Sequence, residues 1–453
     1  MTKVTVYSPC YNYGNYLDRA IESVISQTMN DWELIVIDDG STDHTGDVLE
    51  KYASHSKIKI VRQENKGLNA SNNIALRLAG GKYVMRLDAD DYLDENALLV
   101  LSNILDTRND VGLVYPDYFL IDDNANILEL IRRKKIGDEV ELLDLPAHGA
   151  CTMFRREVLI QLDGYSEEYN CQDGYDLWIR FIQNFRPYNV NVPLFYYRQH
   201  HGSITTNAKR LLETRYEIQK NFSERELTGH TPQVLGIIPV ARNSPYPKNE
   251  PNAVLAGQAL ISYTLNEALR SDLLDRIVMS TSHPDAIAQA EKHENIEVIE
   301  RPPEIEIVNI CDSIGHVLDT MEHEQNYIPD AICVLNINSP LRRAQHIDRA
   351  VNVMQIFDVD SVISVSEELS PCYQHDRNGL RPIDFATGVR LEKEAIYKDN
   401  SAVHLARTNV VRGGSLIGET VGHLTMLPEE SVKINSEFEF WLAENLLEDF
   451  LGR

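Results

Sequence analysis

Basic residues are in short supply. The 453-residue chain carries 43 Lys plus Arg against 69 Asp plus Glu, a formal net charge of −26. Nucleic acid is excluded as a partner on that ground, because phosphate binding needs a stripe of cations. The one basic run, Arg132-Arg133-Lys134-Lys135, is too short to supply it. Long apolar runs are missing as well. Nothing approaches the ~20 residues that span a bilayer. Met1-Thr2-Lys3-Val4-Thr5-Val6 enters a strand-like pattern with no apolar leader and no small-residue cleavage site. Cysteine is sparse and scattered (Cys10, Cys151, Cys171, Cys311, Cys333, Cys372), without CxxC or zinc-ligand spacing. Free buried thiols in a reducing compartment are expected, and with them a cytoplasmic protein, at most lying at the inner face of the membrane. Disorder is excluded by a hydrophobic content of 43%.

At roughly 150 residues per domain the length allows two or three domains. The chain opens with the strand Val4-Thr5-Val6-Tyr7-Ser8 and a helix pattern over Leu17–Gln27. The strand Trp32–Ile37 then ends at Asp38-Asp39-Gly40-Ser41. A helix from about Thr45, the strand Ile58–Val61, a helix from about Leu68 and the strand Tyr83–Leu87 follow. Strands alternating with helices predict right-handed βαβ units and a mostly parallel sheet, with ligands beyond the carboxyl ends of the strands. The same alternation restarts at Val234–Val240, after a polar stretch rich in turn formers. Two Rossmann-like, doubly wound α/β domains are predicted, over residues 1–222 and 233–453, with a linker at 223–232.

Leu87-Asp88-Ala89-Asp90-Asp91 places carboxylates at the end of a buried strand, where Asp88 and Asp90 can point the same way. Two hard oxygen donors so spaced suit Mg²⁺ or Mn²⁺, with a diphosphate completing the octahedron. Alone, such a run reads as a solvated acidic turn, and Asp38–Asp43 reads as a turn with a helix cap. The order of the pieces carries more. Ser8-Pro9-Cys10-Tyr11-Asn12, Val36–Asp43, Glu64-Asn65-Lys66-Gly67, Leu87–Asp91, Gln172-Asp173-Gly174-Tyr175-Asp176-Leu177-Trp178 and Tyr197-Arg198-Gln199-His200 together resemble the family 2 glycosyltransferases of GT-A fold. The resemblance covers about residues 1–222. One departure is that many relatives have Arg-Asn where this chain reads Asn72-Asn73.

The resemblance implies roles. Pro9, Tyr11 and Asp39 would hold the nucleoside, with Asn65 and Gly67 beside them in the nucleotide-sugar site. Asp88 would lie near the ribose and metal, and Asp90 would bind the cation. Asp173 would be the general base, with Asp176 as the competing choice, and Arg198 and His200 would sit on a mobile loop closing over the diphosphate. A single base with in-line attack predicts inversion at the anomeric carbon. The basic run Arg132–Lys135 reads either as a solvated hairpin face or as a surface for an anionic, lipid-linked acceptor.

The second half resembles the cytidylyltransferases that make CMP-activated sialic acid, through Ile238–Arg242, Lys248-Asn249, Leu255–Thr264, Ser339-Pro340-Leu341-Arg342, Asp360–Val365 and Phe440–Leu447. Arg242, Lys248 and Arg342 would be what is left of its nucleotide site. The loop Asn243–Pro247 has two prolines and no glycine, so it offers few N–H groups to phosphates. Lys433 and Asn435 stand where the family holds its metal with aspartates, and Asn336-Ile337-Asn338 replaces a Gln-Pro-Thr run. The expectation is an inactive nucleotidyltransferase-like domain, structural or regulatory, which admits a homo-oligomer formed through it.

The sequence thus predicts an inverting, Mn²⁺- or Mg²⁺-dependent transfer of sugar from a nucleotide-diphosphate sugar, UDP foremost. The acceptor would be a glycan or a lipid-linked molecule in surface polysaccharide synthesis, with peripheral membrane contact at most. Two alternatives stand beside it: a bifunctional enzyme that also makes a CMP-activated acidic sugar, and a non-catalytic nucleotide-sugar-binding scaffold.

Overall fold

A computed structural model describes residues 2–133, 149–169, 171–199, 208–227, 231–242, 250–302, 310–368, 370–377, 379–383 and 396–451. The chain divides into two compact units, the change falling between Ile218 and Gln219.

The first unit runs β1 (Val4–Cys10), α1 (Gly14–Ile25), β2 (Trp32–Asp38), α2 (Thr45–Glu50), β3 (Ile58–Arg62), α3 (Leu68–Leu78) and β4 (Tyr83–Arg86). It continues with β5 (Tyr92–Leu93), α4 (Ala97–Thr107), β6 (Val111–Ile121), β7 (Ile127–Ile131), β8 (Met153–Arg155), α5 (Arg156–Gln161), α6 (Asp173–Ile182), β9 (Arg186–Arg198) and the first half of α7 (Ala208–Glu226), whose residues from Gln219 on belong to the second unit. The sheet order is β3-β2-β1-β4-β8-β6-β9-β5, with β7 on β6. Strands β1 to β4 are parallel, and β1 is buried along its whole length. Its alternate residues Val4, Val6 and Cys10 join one apolar cluster while Tyr7 joins another, so helices cover both faces. In α1, Leu17, Ala20, Ile21 and Val24 recur at helical spacing and form the buried stripe.

The expected mostly parallel sheet is in fact mixed. β8 runs antiparallel between β4 and β6, and β5 and β7 are antiparallel to their partners. β5 and β8 span two and three residues, too few to show a period. The β6–β9 register shifts between Tyr115 and Asp117, at Pro116, which cannot donate to the ladder.

The second unit contains β10 (Val234–Val240), β11 (Val254–Leu255), β12 (Gln258–Ala259), α8 (Leu260–Leu269), β13 (Arg276–Thr281), α9 (Pro284–Ala290), β14 (Glu297–Glu300) and α10 (Ile310–Gln325). There follow β15 (Ala331–Val334), α11 (Ala344–Phe357), β16 (Ser361–Glu368), β17 (Tyr373–Asp376), β18 (Gly379–Pro382), β19 (Ile396–Arg407), α12 (Thr408–Arg412), β20 (Val421–Thr425) and α13 (Glu437–Leu451). Its main sheet has the order β14-β13-β10-β15-β19-β16-β20. β10 is parallel to β13 and β15, while β19 is antiparallel to both neighbours. Residues 223–226, assigned above to the linker, form the end of α7, and 228–230 lie outside the described residues. No described helix is long and apolar enough to cross a membrane, and all six cysteines are free.

Candidate active site

The carboxyl ends of β1, β2 and β3 are tied together by side chains that leave one another little freedom. Asp39, buried just past β2, accepts hydrogen bonds from Gln63 Nε2 at 2.6 Å, the Lys66 N–H at 2.8 Å and the Gly67 N–H at 2.9 Å. The loop leading into α3 is thereby held against β2. A carboxylate has about four lone-pair sites, so one stays available to a donor from a ligand. Gly40 has φ +79°, and a Cβ there would stand 2.8 Å from the Asn65 nitrogen, so the close pass of the two loops requires glycine. Asn65 itself is exposed.

Asn12 makes the corresponding tie from β1. Its Oδ1 accepts the Thr42 N–H at 2.7 Å, and its own N–H donates to Ser41 Oγ at 3.0 Å. Asp43 accepts the Gly14 N–H and the Thr45 N–H and hydroxyl. Burial pushes its carboxyl pKa up, but these bonds outweigh it and hold the group below the usual range. Pro9, next to last in β1, stands opposite Ile37. Tyr11 stays 46% exposed, an aromatic face without cover at the mouth of these loops. Buried Cys10 has its thiol pushed up to about 12, chiefly by burial, so it is an inert packing group.

The acidic run beyond β4 is braced by two arginines. Arg86 Nε donates to Asp88 Oδ1 at 2.5 Å and its Nη2 to Asp88 Oδ2 at 3.1 Å, a two-pronged pair on one face of β4. Arg198 differs from expectation. It closes β9 and is buried rather than riding a mobile loop. Its Nε donates to the Asp90 carbonyl, and its Nη1 to the carbonyls of Asp122 and Asp123, each at 2.9 Å. Its backbone N–H bonds Asp91 Oδ1, also at 2.9 Å. Arg198 is therefore the clamp that shapes the Asp90-Asp91 turn. The Tyr13 hydroxyl is raised above its ordinary pKa by burial first and then by Asp90, Asp88 and Asp91, so it stays a neutral donor near these carboxylates. His200 lies outside the described residues.

Asp173 opens α6 after Gln172, whose backbone is left-handed at φ 57°; the Asp173 side chain is not among the described ones. Asp176 is committed elsewhere. Arg180, one turn on, donates to its Oδ2 from Nη2 at 2.5 Å and from Nε at 3.1 Å, and also bonds the carbonyls of Leu162 and Gly164. Asn72 is fully buried, and Asn73 bonds the Tyr165 backbone on both its N–H and its carbonyl.

Asp90 is half-buried at the turn, and its hard oxygens fit Mg²⁺ or Mn²⁺, which take one or two carboxylates with phosphates and waters. Among the described residues no three His, Cys, Asp or Glu side chains gather as a cage. Sequence reading missed Arg86, Gln63 and Tyr13, which only their position near motif residues could have signalled, and it gave Asn12 no role within its motif.

Residues 5–163 match the family model described as glycosyl transferase family 2. A glycosyltransferase of Rickettsia prowazekii is 30% identical over 231 residues, covering 49% of this chain and 72% of that one. The chain belongs to glycosyltransferase family 2. Chondroitin synthase of Escherichia coli is 31% identical over 209 residues, 46% of this chain and 30% of the relative. The chain spans only 21–30% of the length of the chondroitin and hyaluronan synthases it matches. Among solved structures, S. aureus TarS 1-349 in complex with UDP-GlcNAc aligns over 50% of this chain and 67% of that one, with 20% identity and a TM-score of 0.43.

The family 2 model stops well short of the second unit. There Arg242 is exposed just past β10, and Lys248 lies outside the described residues. Arg342 is buried, not open to a ligand at the surface, and its Nη1 donates to the carbonyls of Asn336 at 3.1 Å and Ala402 at 2.8 Å. Burial lowers its pKa to about 10. Lys433 Nζ donates to Ser401 Oγ at 3.0 Å, and Asn435 receives its backbone support from Glu439.

Proposed function

We propose that the first unit transfers a sugar, with inversion, from a nucleotide-diphosphate sugar to a glycan or lipid-linked acceptor in the synthesis of a surface polysaccharide. The observation that carries this reading is the convergence of Asp39, Tyr11 and the Asp88–Asp91 turn at the carboxyl ends of adjacent parallel strands. Tyr11 would stack on the base and Asp39 would accept from its edge. Asp90, with Asp88 beside it, would hold a divalent cation, whose chemistry there is Lewis-acid neutralisation of the departing diphosphate.

Asp173 would take the proton of the acceptor hydroxyl as its oxygen attacks the anomeric carbon, and the nucleoside diphosphate would leave on the opposite side. The pairing of Asp176 with Arg180 supports this choice, because its Oδ2 already accepts two hydrogen bonds from the guanidinium. UDP is the carrier we favour, by family resemblance. For residues 233–453 we infer a nucleotidyltransferase-like domain without catalytic activity, supported by Lys433 and Asn435 at positions that would need carboxylates.

The experiment is a transfer assay of the full chain with UDP-, GDP- and dTDP-sugars over a panel of glycan and lipid-linked acceptors. Wild type should transfer from one of them, and Asp90→Ala and Asp173→Asn should abolish transfer. Undiminished transfer by both variants would end the site assignment.

A further inference from the structure

The chain leading into Asp173 is gripped from two sides by residues to which the motifs assign no role. On one side stands α3. Asn69 is buried, and its Nδ2 spends both N–H groups on backbone carbonyls, that of Ser166 at 2.6 Å and that of Tyr169 at 2.9 Å. Asn73, one turn on, donates to the Tyr165 carbonyl and to Glu167 Oε1. On the other side stands the part of α7 that belongs to the first unit. The Cys171 thiol donates to Thr214 Oγ1 at 3.0 Å, and Arg215 Nη2 donates to Gln172 Oε1 at 3.4 Å. The Arg215 guanidinium also lies 4.4 Å from the ring centroid of Tyr175, in the first turn of α6.

Backbone geometry gives these grips a purpose. Gln172 is left-handed, at φ 57° and ψ 30°, a conformation that a residue with a Cβ keeps only where its surroundings hold it. It immediately precedes Asp173, so its dihedrals set the direction in which α6 starts. Arg215 takes its side chain, and the Tyr175 N–H takes its carbonyl at 2.9 Å. The α3 grip has a second consequence. Asn69 stands two residues beyond Gly67, whose N–H is held by Asp39. Asp39, Gly67, Asn69 and Tyr169 thus form a short path from the loop past β2 to the chain ahead of Asp173.

We propose that Asn69 and Arg215 are positioning residues for sugar transfer, which together fix the backbone that carries Asp173, and that Asn69 keeps it in step with the nucleotide loop. This rests on Asp173 being the base. Each acts through the main chain, and a reacting group moved by about 1 Å loses most of its worth.

The test is steady-state transfer by the full chain, using the donor and acceptor pair that the transfer assay yields, with UDP binding in Mn²⁺ followed by calorimetry. The variants are Asn69→Ala, Arg215→Met, Arg215→Lys and, as reference, Asp173→Asn. Asn69→Ala and Arg215→Met should each lower kcat about 10–100-fold and leave UDP affinity unchanged. The acid limb of the kcat/KM profile, which reports the base, should be displaced in both. Arg215→Lys keeps a cation over Tyr175 and should recover part of the loss. Melting temperatures show that each variant is folded, and if Asn69→Ala does not fold, Arg215→Met carries the test. Wild-type kcat in both variants, with Asp173→Asn inactive, would overturn the proposal alone. So would parallel losses of kcat and UDP affinity, the mark of a general disturbance. Wild-type transfer by Asp173→Asn would end the assignment of the base and this proposal with it.

Discussion

The carboxylate of Asp39 takes the backbone N–H of Gly67 at 2.9 Å, and that single bond joins the loop after β2 to the start of α3. With Lys66 N–H on its other oxygen, Asp39 is a structural clasp, and in the proposed function it is also the group that would accept from the base. On that reading, binding and local stability would be coupled at one residue.

Asp39→Asn should lose both. An amide keeps one acceptor but turns N–H groups toward the Gly67 or Lys66 donors. A cost of about 1–3 kcal/mol follows from leaving a buried donor unpaired. Urea unfolding measures it, and nucleotide titration should show weakened binding. A variant as stable as wild type would contradict the bonding described.

Asp173 and Asp176 should separate cleanly. Asp173→Asn is expected to lower kcat about 10²–10⁴-fold, the usual worth of a general base, with nucleotide binding unchanged. Asp176→Asn should instead lower stability, by about 1–3 kcal/mol, because Arg180 loses its charged partner while still holding the Leu162 and Gly164 carbonyls. Reversed outcomes would move the base to Asp176.

Arg198→Met should loosen the Asp90-Asp91 turn. Three carbonyls lose their donor at once, so a loss of about 2–4 kcal/mol is expected, together with weaker Mn²⁺-dependent donor binding. Arg198→Lys should rescue little, since one ammonium cannot reach three carbonyls arranged for a fork. Thermal melting and calorimetry check both statements.

Acid should reveal Asp106. Hydrogen bonds from Lys82 and Tyr83, then from Lys3, hold its carboxyl well below the usual range against the opposing effect of burial. A depressed carboxyl pKa gives stability that is complete above the unfolded value, near 3.8, and is lost as pH falls through the folded value. Asp106→Asn should therefore be less stable than wild type at neutral pH, and the gap should close below about pH 3–4. A gap independent of pH would mean that Asp106 acts through packing alone.

Much of this was legible in the sequence. Strands β1 to β4 declare themselves as apolar runs bounded by turn formers. The Asp88-Ala89-Asp90-Asp91 run was found by its place at the end of a buried strand, and Tyr11 and Asp39 through the resemblance to family 2. The antiparallel β8 was not legible. It is three residues long, and it pairs with β4 across about 70 residues of intervening chain.

What the sequence by itself determined is family membership, the alternation of strand and helix, and the residue types at the strand ends. These depend on local periodicity and on order along the chain. What only the tertiary structure decided is how each charge is committed: Asp176 to Arg180, Arg198 to the carbonyls of an acidic turn, Arg86 to Asp88, Arg342 to a buried pair of carbonyls. A charged side chain looks the same in a sequence whether it waits for a ligand or braces a loop. The difference lies in partners that are distant along the chain and near in space, and in how much water is left around them.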